Sequence, residues 1–170
     1  VVDADLHHLL GSWFNRGFLQ LRGISWNSPA TQLEKLVSCE SVHAIQGLED
    51  LRRRLAGDRR CFAFFHPAMP DEPLIFGEVA LVQGIPGELP PLLDPNGPLQ
   101  DTGRADTALF FSVCNTQPGL RGISFGNFLI KQVVEELRRE FPWLVNFATL
   151  SPLPRFASSL RAALKREGGG

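Results

Sequence analysis

Apolar positions along the chain fall into two repeat lengths, and each repeat predicts an element. Leu33, Leu36 and Val37 recur at three- and four-residue spacing, which predicts a helix over Ala30 to Cys39, with Ser28 as a polar cap and Pro29 at the first helical position. Leu48 to Leu55 (LEDLRRRL) reads as a short, highly charged helix. Cys61 to Phe65 (CFAFF) and Leu74 to Val82 (LIFGEVALV) are short apolar runs separated by Pro67, Pro70, Asp71 and Pro73. They predict two strands joined by a proline-rich hairpin. Gly84 to Gly103 carries five prolines and four glycines among few apolar residues and is expected to be a mobile loop. Thr107 to Cys114 (TALFFSVC) predicts a third strand. From Phe125 the apolar positions Phe128, Leu129, Val133, Leu137 and Phe141 repeat at three and four residues, with Lys131, Glu135, Glu136, Arg138 and Arg139 toward solvent. This predicts a long helix that Pro142 ends, and Leu144 to Leu150 (LVNFATL) then predicts a fourth strand. The order predicts an α/β fold whose sheet is antiparallel in its first half.

Length and charge narrow the classes. The 170 residues suit one domain, and 44% apolar residues suffice for a core. A formal charge of -1 with mixed signs gives no electrostatic case for a nucleic-acid or membrane-surface partner. No apolar run approaches the ~20 residues of a membrane span, and Val1 to Asp5 lack a cationic leader, so the expected setting is soluble and cytoplasmic. Asp5 to Phe14 is already amphipathic without a cap, and Arg161 to Gly170 is a helix-like stretch with a glycine tail. The expectation is a piece of something longer, cut at both ends. Cys39, Cys61 and Cys114 are odd in number, far apart and in no C-x-x-C arrangement. Neither a disulfide framework nor a metal site is indicated, and each is expected to be a reduced apolar residue.

Candidate chemistry concentrates in QPGLRGISFGNFLIKQ, residues 117–132. A strand feeding a glycine-bearing turn that opens a helix gathers free backbone N–H groups at the positive end of a helix dipole, which suits a pyrophosphate. Gly122 and Gly126 let the backbone approach an anion, and Arg121 adds a charge-assisted bond. There is no G-x-x-x-x-G-K-[ST], and Gly119, Gly122 and Gly126 have the wrong spacing for G-x-G-x-x-G. By residues alone, an ordinary tight strand-to-helix turn accounts for the glycines equally well. Elsewhere, Arg52, Arg53, Arg54, Arg59 and Arg60 could receive a phosphate, but base rates favour a solvated helix face. Glu78 could act as a base, although a sheet-edge or solvent-facing carboxylate is the commoner reading. His66 is expected to be hydrogen-bonded within the hairpin.

Arg121-Gly122-Ile123-Ser124-Phe125-Gly126-Asn127 and the following Phe128-Leu129-Ile130 resemble the coenzyme A pyrophosphate turn of GNAT-type acyltransferases, with Ser124 where that pattern has its first glycine. The phrases SWFNRGFL, CFAFFHPAMPDEPLIFGEVALV, NTQPGLRGISFGNFLIKQVVEELRREFP and TLSPLPRF, in this order, resemble the catalytic domain of the malonyl-CoA decarboxylase family over nearly the whole chain except the loop around Gly84 to Gly103. The resemblance implies one domain over residues 1–170, the N-terminal portion of that catalytic domain. Its GNAT-like mixed central sheet would be flanked by helices, with a coenzyme A pyrophosphate turn leading into the long helix. It implies Arg121, Gly122, Ile123, Ser124, Phe125, Gly126 and Asn127 as coenzyme A-binding residues and Ser151 as the catalytic serine of an S-P-[IV]-P-G-F segment, in which Arg155 here replaces the glycine. Without the family, Ser151-Pro152 reads as a turn. The family's catalytic histidine lies beyond the serine, in sequence this chain does not contain; His7, His8, His43 and His66 all precede Ser151. The chain alone is therefore expected to turn over poorly.

The implied reaction converts malonyl-CoA to acetyl-CoA and CO2 with no cofactor and no metal. The implied setting is cytoplasmic, or mitochondrial or peroxisomal in a eukaryote, and a homo-oligomer of the parent protein stays open. A GNAT-type acyl-CoA-dependent acyltransferase and a non-catalytic acyl-CoA-binding module remain the alternatives.

Overall fold

The computed structural model describes residues 5, 9, 16–41, 43–120, 125–151, 156, 160 and 161. Five strands form one sheet in chain order: β1 (Gln20–Ile24), β2 (Arg59–His66), β3 (Met69–Val82), β4 (Thr107–Asn115) and β5 (Asn146–Thr149). The first four pair antiparallel, as expected, and β4 pairs parallel with β5. The α-helices with described bounds are α1 (Ala30–Cys39), α2 (Leu48–Arg54), α3 (Pro90–Leu93) and α4 (Phe125–Glu140).

Strand alternation divides the core between the two faces of the sheet. Phe62, Phe64, Leu81 and Phe110 pack with Leu129, Val133 and Leu137 of α4 on one face. Cys61, Ala63, Phe65 and Phe76 pack with Leu36 of α1 and Leu51 of α2 on the other. Helix α4 lies close to β3 because Gly77 has no side chain there: a Cβ at Gly77 would sit 2.8 Å from Leu129 Cδ2. The Phe64 and Phe128 rings stack at 5.3 Å.

Two irregularities shape the middle of the sheet. Glu78 lies opposite Ser112, but Val79 lies opposite Phe110, so Phe111 is the extra residue of a bulge in β4. On the other side of β4, pairing with β5 runs from Thr107–Asn146 to Phe110–Thr149 and closes with the Leu150 N–H donating to Phe110 O at 2.8 Å. Strand β4 continues to Asn115 while β5 ends, so the two chains part beyond Phe110.

Several expectations need correction. The sequence reading found four strands and missed β1, because QLRGI is an edge strand with an exposed pattern and neither of the apolar periods. Pro29 is the N-cap residue of α1, and the Ser28 hydroxyl accepts from the Ser25 N–H instead of capping the helix. Strand β5 is shorter than Leu144 to Leu150. The segment expected to be a mobile loop contains α3 and is fastened at three points. Arg59 Nη2 donates to Leu92 O at 3.0 Å, Arg53 Nη2 to Pro98 O at 3.1 Å, and the Gln100 N–H to Asp58 at 2.9 Å. Cys39 and Cys114, expected to be reduced, are joined in a disulfide with their Cα atoms 6.1 Å apart, because the fold brings the end of α1 against β4 across 75 residues of sequence. Cys61 is free and buried, as expected. Of the terminal stretches 5–14 and 161–170, only Asp5, Leu9 and Arg161 are described.

Candidate active site

The parting of β4 and β5 leaves a groove of about 300 Å³, lined by Phe111, Val113, Gly126, Asn127, Ile130 and Ser151 among others. The first turn of α4 forms one wall. Phe125 is buried in the core and anchors the start of the helix, so the first turn comes to the groove with Gly126 and Asn127. Among the described residues, a Cβ at Gly126 would meet only Val113 Cγ1, at 3.7 Å, so they leave this wall open. Arg121, Gly122, Ile123 and Ser124 lie outside the described residues. Of the predicted site residues, the structure brings Gly126, Asn127 and Ser151 to one groove.

Ser151, two residues beyond β5, is exposed and lines a second cleft as well, about 260 Å³, with His43, Pro86, Gly87, Glu88, Leu89 and Leu150. The serine therefore stands where two cavities on opposite sides of the β4–β5 parting meet.

Behind these cavities lies a buried polar hub that sequence reasoning did not find. Glu40 follows α1 and uses both oxygens: Oε2 accepts from the Ser112 hydroxyl, and Oε1 accepts from the His43 N–H at 2.8 Å. Arg54, at the end of α2, donates from Nε to Asp50 at 2.9 Å, from Nη1 to Glu78 at 3.2 Å and from Nη2 to His43 O at 2.6 Å. Burial alone would lower the pKa of Arg54, but Glu78 and Asp50 outweigh it and the pKa is raised. Burial, followed by the neighbouring Glu40 carboxyl, pushes Glu78 up to about 8 against the pull of Arg54. Glu78 Oε1 is buried with no hydrogen-bond donor among the described residues, and its raised pKa beside the Glu40 carboxyl favours a proton held between the two. Burial, with the two carboxyls as lesser causes, raises the Cys61 thiol well above its ordinary value.

This hub overturns two expectations. Glu78 is neither at a sheet edge nor facing solvent, since β3 is interior to the sheet and the residue is 1% exposed. The arginine run is not a solvated face either. Arg53, Arg54 and Arg59 are buried, and Arg53 pairs with Asp58 at 2.6 Å and Arg59 with Asp58 at 3.0 Å. Arg60 pairs with Glu140 at 2.6 Å, and only Arg52 is exposed, lying 5.1 Å from the Trp26 ring. His66 is hydrogen-bonded in the hairpin as expected, its Nδ1 accepting from the Ala68 N–H at 3.1 Å. No sequence signal pointed to Glu40, His43 or Ser112; Glu40 and His43 are close in sequence, and Ser112 joins them only through tertiary packing. Among the described residues, no group of three or more His, Cys, Asp or Glu could hold a metal ion, and no helix is long and apolar enough to cross a membrane.

Comparison with known proteins agrees with this architecture. The family model "Malonyl-CoA decarboxylase C-terminal domain" matches residues 17–169. The mitochondrial malonyl-CoA decarboxylase of Mus musculus is 41% identical over 174 residues, covering 98% of this chain and 34% of that protein. The crystal structure of malonyl-CoA decarboxylase from Agrobacterium vitis superposes with a TM-score of 0.90 at 55% identity, covering 99% of this chain and 42% of that one. The chain thus spans about a third of the length of the mouse relative. An aminoglycoside acetyltransferase from an uncultured soil metagenomic sample superposes with a TM-score of 0.55 at 9% identity, a likeness of fold alone that fits the expected GNAT-like sheet. With the family model covering residues 17–169 and the Agrobacterium vitis enzyme superposing over nearly every residue, this chain belongs to the malonyl-CoA decarboxylase family.

Proposed function

We propose that this chain binds malonyl-CoA across the β4–β5 parting and contributes Ser151 to its decarboxylation to acetyl-CoA and CO2. The observation that carries the reading is the convergence of the α4 N-terminus, Gly126, Asn127 and Ser151 on one groove. In this pose the pyrophosphate lies on the turn of residues 121–127 and the pantetheine arm passes between the strands. The thioester then reaches Ser151 at the junction of the two cavities.

Loss of CO2 leaves an enolate, so the barrier falls if the carboxylate is desolvated, the developing oxyanion is stabilised and a proton is delivered to carbon. Backbone N–H groups freed where β4 and β5 part suit the oxyanion. Ser151 orients the malonyl group and takes part in proton handling. The thioester survives the reaction, so an acyl-enzyme on serine would add steps without lowering the relevant barrier. No cofactor is required by this chemistry. Acetyl transfer to an amine is the competing reading supported by the shared fold.

The test is to incubate the parent protein that carries this chain with malonyl-CoA and to follow acetyl-CoA and CO2 with and without an amine acceptor. Amine-independent release of both products is expected. Ser151→Ala should lower kcat by ~10²- to 10⁴-fold with KM little changed. Strict dependence on the amine would favour acyl transfer. Tight binding without turnover would favour a binding module, and full activity of Ser151→Ala would remove the serine from the chemistry.

A further inference from the structure

We infer that His43 is a substrate-facing residue that hydrogen-bonds the free carboxylate of the acyl group, and so distinguishes a malonyl thioester from a simple acyl thioester; this rests on the reading above. Among the described residues, the lining of the coenzyme A groove has no histidine and no cation. An acyl group that reaches Ser151 from that groove extends into the second cleft, because Leu150 and Ser151 line both cavities. There it meets Pro86, Leu89 and Leu150, an apolar lining that strips water from a carboxylate. A carboxylate so placed needs a hydrogen-bond donor. Glu88, exposed at the rim, has the wrong charge, so the donors among the lining side chains are His43 and Ser151.

The placement of His43 is built rather than incidental. Its N–H is held by Glu40 Oε1 at 2.8 Å and its C=O by Arg54 Nη2 at 2.6 Å, so the backbone is fixed on both sides by the buried hub. Both anchors use main-chain atoms and leave the imidazole unengaged by them. A single imidazole donor also suits the chemistry. A fixed lysine or arginine against the carboxylate would stabilise the ground state more than the transition state, in which that charge moves into the enolate.

The experiment measures binding of coenzyme A, acetyl-CoA and malonyl-CoA to the full chain in a Ser151→Ala background, which suppresses turnover, with and without His43→Ala. Malonyl-CoA affinity should fall about 10-fold, the scale of one charge-assisted hydrogen bond, while coenzyme A and acetyl-CoA stay within twofold. His43→Gln, which keeps a donor, should recover part of the loss. Circular dichroism verifies folding of each variant; because the anchors are backbone groups, Gln serves as the probe if Ala unfolds. Equal weakening of malonyl- and acetyl-CoA, or no change in either, overturns the role of His43 while leaving the coenzyme A site standing. Failure of the Ser151→Ala parent to bind any of the three ligands overturns the site itself, and the role of His43 with it.

Discussion

The two faces of the same sheet are held by different physics. On the α4 face the buried contacts to the helix are apolar: Phe62, Phe64, Leu81 and Phe110 receive Leu129, Val133 and Leu137, and the one ion pair to it, Arg60 with Glu140, lies at the end of the helix among the described residues. On the α1–α2 face an apolar cluster sits beside Asp50, Arg53, Arg54, Asp58, Arg59, Glu40 and Glu78, all less than 9% exposed. The first face is non-directional and tolerates swaps of similar volume. The second is a set of paired charges, each dependent on its partners, and it is this face that fixes His43 and Ser112 beside the cavities. The proposed coenzyme A wall stands on the robust face and the proposed acyl cleft on the demanding one.

The largest expected effect comes from breaking the charged face. Arg54→Met removes the cation shared by Asp50 and Glu78, and with it the donor to His43 O. Stability should fall by about 3–5 kcal/mol, since buried carboxylates are left uncompensated. On the apolar face, Leu129→Ala should cost about 2–5 kcal/mol. Denaturant unfolding reads both. A cost for Arg54→Met below that for Leu129→Ala would mean that the hub is solvated in practice and that the two faces do not differ as described.

The same contrast explains what the sequence disclosed. Helix α4 runs Phe125–Glu140, close to its expected bounds, because its apolar positions repeat and Pro142 stops it. Strands β2, β3 and β4 were legible as apolar runs because burial on both faces leaves few polar interruptions. Glu78 and the arginine run were misjudged for one reason. Composition statistics treat a charge as solvent-facing, and whether a charge is paired depends on residues distant in sequence, such as Arg54 and Glu78 at 24 residues. The turn of residues 121–127 and Ser151 stood out through motif and family likeness. The cleft with His43 did not, because it is assembled from the segment after α1, the segment before α3 and the end of β5.

A pH-dependent effect, small per pH unit, separates charge from shape within the hub. The folded pKa of Glu78, about 8, lies above its ordinary value of 4.5, so between those values the native protein holds a proton that the unfolded chain has released. Stability from this group is therefore lost as pH rises through that window and is flat above it. The slope is at most about 1.4 kcal/mol per pH unit. The lowered carboxyl of Asp58 acts below its ordinary 3.8 and the depressed guanidinium of Arg59, at about 10, acts above the window, so neither masks the slope. Glu78→Gln keeps an acceptor for Arg54 and gives Glu40 a permanent amide donor in place of the shared proton. Unfolding free energy measured between pH 5 and pH 8 should decline in the wild-type chain and be nearly level in Glu78→Gln, with the variant the more stable at pH 8. If the decline survives in Glu78→Gln and disappears in Glu40→Gln, the proton belongs to Glu40. If it survives in both, the two carboxyls do not share one, and the decline comes from another group.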